Sequence, residues 1–349
     1  MNKTRAPFVR TLLAAFVALF AVLADTSPAA ADPPVLPPPA NSIVFVGTGI
    51  DQALIGAICA AYDAIPPAVP CYSWDATGSS PIVTKAGAAP VARPNGSQAG
   101  ISLLNSTSSS VVDVARSARG PLSGSLDYFI PFVRDAIGWS AETGGNAPSN
   151  LTSADLRGIF SCTITSWNQI TDIAGYIGPS TTIIPVLPQL GTDTRGTWLA
   201  DLGITATSEP CWSPVTPTEN EGTAAIFTGN PNVIFPYNLA HYVGQVYDGK
   251  GSGSDLPGSL DAFRSIDGIA QILTVGQQFN SGLPSAYLRN LYNVVRVSDW
   301  NSATLGPPLK ALLGRASING WICKSGAAVI SSYGFQSLGA GCGTQLIGI

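Results

Sequence analysis

The amino-acid sequence predicts an α/β protein with a largely parallel sheet. Three observations carry this reading. Short apolar runs alternate with segments of helical period, the pattern that builds βαβ units. Several of those runs close on loops of small polar residues. The 349-residue chain is also long enough to bury a substantial core. Only 11% of the residues are charged against 45% hydrophobic, beside 37 Gly and 28 Pro. A disordered chain needs the opposite balance, and a coiled coil needs charged flanks. A net charge of −4, with no Lys/Arg cluster in the body of the chain, excludes the basic footprint of a nucleic-acid binder. A single His leaves little from which to build a zinc enzyme.

Taken in order, residues 1–31 have the form of a signal peptide. Lys3, Arg5 and Arg10 make a basic start, residues 11–23 an apolar run, and Ala29-Ala30-Ala31 a small-residue cleavage site. The run is shorter than the ~20 residues of a membrane-crossing helix, and the signal holds no Cys to carry a lipid anchor. The Pro-rich residues 32–41 are expected to be an extended linker, with folded structure following it. Residues 43–46 make a strand, Gly47-Thr48-Gly49 a tight loop, and Ile50, Leu54, Ile58 and Tyr62 the apolar stripe of a helix. Residues 71–74 form a second strand, followed by a turn-rich loop from Asp75 whose Pro81 suits the first position of a helix. Residues 111–115 form a third, running into Arg116-Ser117-Ala118-Arg119-Gly120-Pro121.

Residues 128–139, apolar and aromatic, make a strand crossing between two lobes. Thr152-Ser153-Ala154-Asp155 is a capping box that opens a helix ending at Phe160. Residues 183–187 are a buried strand, leading through Gly191-Thr192-Asp193-Thr194-Arg195 to a helix over 196–202. Residues 233–237 return the chain toward the first lobe, 248–259 are a flexible loop, 294–297 a further strand, and the remainder helix and loop. All six Cys follow the signal, an even number in an exported chain, and their spacing favours three local disulfides: Cys59 with Cys71, Cys162 with Cys211, Cys323 with Cys342.

In open α/β sheets ligands sit at the carboxyl ends of strands, where helix N-termini present unpaired N–H groups. Four strand-end loops here are rich in hydroxyls and glycine: residues 48–51, 77–80, 116–120 and 191–195. Together they describe an oxyanion cradle. The last is the most informative, since it joins Thr hydroxyls and backbone amides to an Arg whose planar fork can grip two oxygens. Each feature also has an ordinary explanation. Thr and Asp cap helices, as Asp51 and Asp193 would, and Arg116 or Arg119 can pair with a carboxylate such as Asp113. The local signatures of serine hydrolases are missing, and Gly244 to Lys250 fails as a phosphate loop because Gly251 stands where Ser or Thr is required. His241 is expected to be a packing residue, and no cofactor or metal is expected.

Several stretches then carry a family likeness. They are Val46-Gly47-Thr48-Gly49, Asp75-Ala76-Thr77-Gly78-Ser79-Ser80, Arg93-Pro94-Asn95-Gly96-Ser97, the Ala115 to Pro121 segment, Phe129-Ile130-Pro131-Phe132 with Asp135-Ala136, Leu151-Thr152, Ile159-Phe160, Ile164-Thr165-Ser166-Trp167-Asn168, and Pro185 to Arg195. In this order they resemble the phosphate-binding proteins of phosphate ABC transporters, within the type 2 periplasmic-binding-protein superfamily, and most closely a secreted actinobacterial branch. The resemblance spans most of residues 43–345. It implies a two-lobed fold, each lobe a mainly parallel sheet flanked by helices, with the ligand cleft between them. Lobe I would be residues 42–132 and 236–349, lobe II residues 133–235. It also implies a secreted or periplasmic, monomeric, non-enzymatic solute-binding protein that captures phosphate or a related oxyanion by hinge closure, with an ABC transporter permease as partner. By position, the ligand-binding candidates are Asp51, Ser79, Ser80, Ser117, Arg119, Thr192, Thr194 and Arg195. This chain departs from the family where Asp51 replaces a hydroxyl, Ala118 an Asp, and Asp193 a small Gly, exchanges that bear on which anion fits. Two other classes stay open: a cell-envelope interaction protein with a degenerate cleft, and a secreted phosphoesterase-like hydrolase.

Overall fold

A computed structural model describes residues 32–66 and 68–348; the signal peptide expected at residues 1–31 lies outside them. β1 (Ile43–Gly47) is buried at every position, as a strand covered on both faces must be. α1 (Gln52–Asp63) lays Leu54, Ile55, Ile58 and Tyr62 against it. β2 (Cys71–Ser73) pairs parallel with β1, and the Cys59–Cys71 disulfide ties it to α1. No helix opens at Pro81. A fixed proline φ serves a turn as readily as a helix start, and here Ile82 bridges Val91 across the loop. The next helix is α2 (Ser97–Ser106), and β3 (Val114–Ser117) then pairs parallel with the other edge of β1.

β4 (Asp127–Glu142) is longer than its sequence pattern indicates and almost wholly buried. β5 (Asn150–Leu151) precedes α3 (Ser153–Phe160), where Thr152 Oγ accepts the Asp155 N–H and the Asp155 carboxylate accepts the Thr152 N–H, as the capping box requires. After β6 (Ile184–Pro185), α4 (Asp193–Asp201) begins three residues before the expected Gly196. Extended Thr192 takes the N-cap place, and an Asp in the first turn suits the helix dipole. β7 (Val233–Asn238) and α5 (Leu239–Asp248) follow, α5 ending on left-handed Gly249. Five short strands come next: β8 (Leu260–Asp261), β9 (Ser265–Ile266), β10 (Ile269–Ala270), β11 (Ile272–Leu273) and β12 (Gln278–Phe279). β13 (Leu288–Arg296) leads into α6 (Val297–Asn301), α7 (Gly306–Leu313), α8 (Trp321–Ser325), α9 (Ala327–Ser332) and β14 (Gln336–Ser337). Bridges Cys162–Cys211 and Cys323–Cys342 form as their spacing indicates.

Among the described residues the main sheet runs β2-β1-β3-β13-β4-β7-β6. Its two ends are parallel, β2-β1-β3 on one side and β6-β7 on the other. Between them β4 serves both lobes. Residues 127–136 pair antiparallel with β13, and residues 137–141 pair antiparallel with β7. β8 pairs with the far end of β4, and β9 with β5, so this stretch joins the half of the sheet around β7. The Pro-rich residues 32–41 are anchored to the body of the protein on either side of an exposed stretch at 34–37. Asp32 forms a two-oxygen ion pair with Arg93, Pro33 and Pro38 are buried, and the Pro38 carbonyl accepts the Ala86 N–H.

Where β4 passes from one lobe to the other, Asp135 is fully buried. Its carboxylate accepts two bonds from the Arg289 guanidinium, at 3.0 and 2.8 Å, and the Ala240 N–H at 3.2 Å. Arg289 also donates to Asn238 at the end of β7. Removing the carboxylate leaves a buried cation without its counter-charge, so Asp135→Ala is expected to cost about 3–5 kcal/mol of stability in urea unfolding. A loss under about 1 kcal/mol, the scale of an exposed pair, would show that the crossing does not depend on this ion pair.

Candidate functional site

The loops that follow β1, β2 and β3 meet over one buried guanidinium. Arg116 donates Nε to the Thr48 carbonyl at 2.9 Å, one terminal nitrogen to Ser73 Oγ at 2.7 Å, and the other to the Trp74 carbonyl at 2.8 Å. It is therefore a framework residue, while Asp113 takes Lys85 as its partner at 2.6 Å. Asp51, at the N-cap of α1, lies 3.5 Å from Arg116 Nε, is fully buried and makes no side-chain capping bond. Burial pushes its carboxyl up to about 7; Arg116 opposes the shift, and Asp193 and Asp135 add to it.

Facing this framework is the start of α4 from the other lobe. Asp193 Oδ2 accepts both the backbone N–H and the hydroxyl of Ser97, each at 2.8 Å, and Ser97 Oγ in turn accepts the Ala118 N–H. A carboxylate from one lobe thus occupies the N-terminus of a helix in the other. The approach is close because Gly96 has φ of +89°, and a Cβ there would stand 2.2 Å from the Gly191 carbonyl oxygen. One residue on, the Thr194 N–H and hydroxyl donate to Glu219 Oε2 at 3.3 and 2.5 Å, and Asn238 donates to Thr194 Oγ. Glu219 Oε1 is buried without a hydrogen-bond partner. Burial raises the Glu219 carboxyl to about 6 against the pull of its Thr194 bond, and Asp193 adds to the rise. Three carboxylates, Asp51, Asp193 and Glu219, therefore stand where α1, α2 and α4 begin.

The candidates from sequence are only partly gathered here. Asp51 and Thr194 belong to the group. Ser117 is buried beside it, but its hydroxyl turns back to the Arg119 carbonyl. Thr192 spends its hydroxyl on the Gln189 carbonyl as the chain turns into α4. Four others are engaged elsewhere. Ser79 and Ser80 sit on an exposed turn whose polar atoms serve Arg93. Arg119 holds Gln98 Oε1 at the rim, and Arg195 donates to the Pro188 carbonyl while lying over the Trp212 ring. Ser97 and Glu219 were not among the candidates. Gly96-Ser97 before the apolar stripe of α2 is a readable helix start, whereas nothing local marks Glu219. His241 is buried and pairs with Asp255 at 2.7 Å; burial lowers its pKa, but Asp255 more than offsets this and the net shift is upward. Among the described residues no cluster of three His, Cys, Asp or Glu side chains is placed to hold a metal ion, and no helix is long and apolar enough to cross a membrane.

The raised carboxyls set a direction for stability against pH. A carboxyl whose folded pKa is raised holds its proton longer in the folded chain than in the unfolded one. It therefore costs stability as pH climbs from its ordinary value, 3.8 for Asp51, toward the folded value of about 7. The chain is expected to be more stable to urea at pH 5 than at pH 7.5 by about 2 kcal/mol, with a smaller difference in Asp51→Asn. Stability that is flat or rising over that interval would contradict the burial of these groups.

Residues 74–243 match the family model described as the PBP superfamily domain. Among solved structures, the chain is similar to an ABC-type phosphate transport receptor from Vibrio cholerae, at 16% identity and a TM-score of 0.54, over 84% of this chain and 99% of that one. It is also similar to a phosphate binding protein from Stenotrophomonas maltophilia, at 16% identity and a TM-score of 0.50, over 86% and 92% of the two chains. No curated protein matches the chain. The chain is thus similar over residues 74–243 to the PBP superfamily domain, and it has the two-lobed α/β fold seen in the phosphate transport receptors.

Proposed function

We propose that the chain is an exported solute-binding protein that closes two lobes on a ligand, and that its cradle takes an oxyanion, inorganic phosphate first. One observation carries this reading: the start of α2 already holds an oxygen anion, the Asp193 carboxylate, through the Ser97 N–H and hydroxyl. Helix N-termini favour such charge, and paired donors at hydrogen-bond distance suit any oxyanion that reaches them. Phosphate would take the place of Asp193 Oδ2 on Ser97 and draw the Thr194 N–H and hydroxyl from Glu219. A protonated Asp51 or Glu219 would supply a donor in place of a like charge. The ligand would then bridge lobe I, through Ser97, to lobe II, through the start of α4, and hold the hinge closed. We assign lobe II to residues 133–235 together with 260–283, since β8 and β9 pair on that side. Three disulfides suit a location outside the cytoplasmic membrane, where an ABC transporter permease would be the partner of a monomeric receptor.

A second reading draws on the same contact. A carboxylate built into the cradle competes with every free anion at a very high local concentration. The chain would then be a cell-envelope interaction protein whose closed cleft is no longer used for uptake. Calorimetric titration of the purified chain with phosphate separates the two, beside Asp193→Gly, which removes the internal competitor. Phosphate is expected to bind Asp193→Gly about tenfold more tightly than the unaltered chain or better, a difference of about 1.4 kcal/mol. Ser97→Ala placed on that variant is expected to abolish the gain. If neither form takes up phosphate, sulfate or arsenate, the oxyanion reading fails and the envelope reading stands.

A further inference from the structure

Beside the cradle, and sharing Glu219 with it, lies a cavity of about 510 Å³, within the range of small-molecule pockets. Its walls come from α1 and the loop after β2 on one side, and from residues 218–221 and 252–255 on the other, with His241 and Tyr333 between. The charge is one-sided. Asp63, Asp75, Glu219, Glu221 and Asp255 line it, and neither Lys nor Arg does. Asp32 also reaches the wall, but its charge is met by Arg93, and Asp255 is paired with His241. The floor is apolar and flat, because α1 turns Ala53, Gly56, Ala57 and Ala60 to the cavity.

We propose that this cavity binds a small organic cation, an ammonium group or pair of ammonium groups on a short apolar chain, with Asp75, Glu219 and Glu221 receiving the charge and the Ala53–Ala60 face of α1 receiving the methylenes. Glu219 carries the argument beyond the count of acids. It is 7% exposed, and its Oε1 has no hydrogen-bond partner while the residue lines the cavity. A buried acceptor left open in this way is costly unless a donor meets it. The acids also act on one another across the space. Burial raises Asp75 to about 7, and Asp32 and Asp255 raise it further against Arg116 and Arg93. Burial raises Glu221 as well, and Asp255 adds to that. A cation placed between them relieves both the repulsion and the desolvation. An anion here would meet Asp63, Asp75, Glu219 and Glu221 with no Lys or Arg on the wall to offset them.

This inference goes beyond the oxyanion reading and does not rest on it, since phosphate on Asp193→Gly and an amine on the unaltered chain can fail separately. The probe is 1,4-diaminobutane, with butane-1,4-diol as its uncharged counterpart, titrated by calorimetry into the purified chain. The diamine is expected to bind, to weaken as salt is raised, and to lose about tenfold in affinity or more in the Asp75→Asn, Glu221→Gln double variant. The diol is expected to give no heat. Gly56→Leu is the companion variant: Gly56 lines the cavity and a Cβ there meets nothing within 4 Å, so the substitution takes up cavity space while every carboxylate is retained. It is expected to abolish diamine binding while leaving the thermal midpoint unchanged or higher, since Gly is a poor helix residue. No heat with the diamine, equal binding of the diol, or diamine affinity unchanged in Gly56→Leu would each overturn the proposal.

Discussion

The unpaired N–H groups at the start of a helix have to be met by oxygen, and in this chain the starts of α1, α2 and α4 are turned toward one another. Much of the cleft follows from that demand. Asp193 crosses from α4 to satisfy α2, and Glu219 reaches Thr194 at the start of α4. Asp51 stands at the cap of α1 beside the buried guanidinium that joins the strand-end loops. Positive helix ends draw in carboxylates, the carboxylates crowd one another, and burial raises the pKa of Asp51 and Glu219. The contact between Gly96 and Gly191 is possible because Gly96 has no side chain to meet the Gly191 carbonyl.

The two faces of the cleft therefore differ in chemistry. On the side of Ser97 the groups on offer are N–H and O–H donors, with a protein carboxylate in the place of a guest. On the side of Asp75 and Glu221 they are acceptors around an apolar floor. Glu219 belongs to both, with one oxygen on Thr194 and the other unpaired. In a chain with so few charges, the gathering of this many acids in one region is the feature that composition alone conceals.

Local patterns made much of the architecture legible. Ile50, Leu54, Ile58 and Tyr62 mark α1, Thr152 and Asp155 mark the start of α3, and the Cys spacings mark all three disulfides. Each of these signals lies within a short stretch whose geometry is set by its own residues. Pro81 misleads because a proline after a polar turn fits two local structures, and only the pairing of Ile82 with Val91 decides between them. Of the loops identified from their hydroxyls and glycines, those at 48–51, 116–120 and 191–195 come near one another, while Ser79 and Ser80 sit on an exposed turn with Arg93. Arg195 and Arg119 find carbonyl, amide or ring partners nearby. Ser97 and Asp193 meet across 96 positions of sequence, and Glu219 sits in a loop without periodicity, so their roles depend on tertiary closure that no short window contains.

β4 has a consequence of a different kind. A strand that hydrogen-bonds to β13 along its first half and to β7 along its second belongs to two sheets at once. Neither lobe can lose its structure without stripping an edge from the other, and the Asp135–Arg289 pair lies at the handover. The two lobes are thus coupled through one shared strand, and loss of structure in either one removes hydrogen-bond partners from the other.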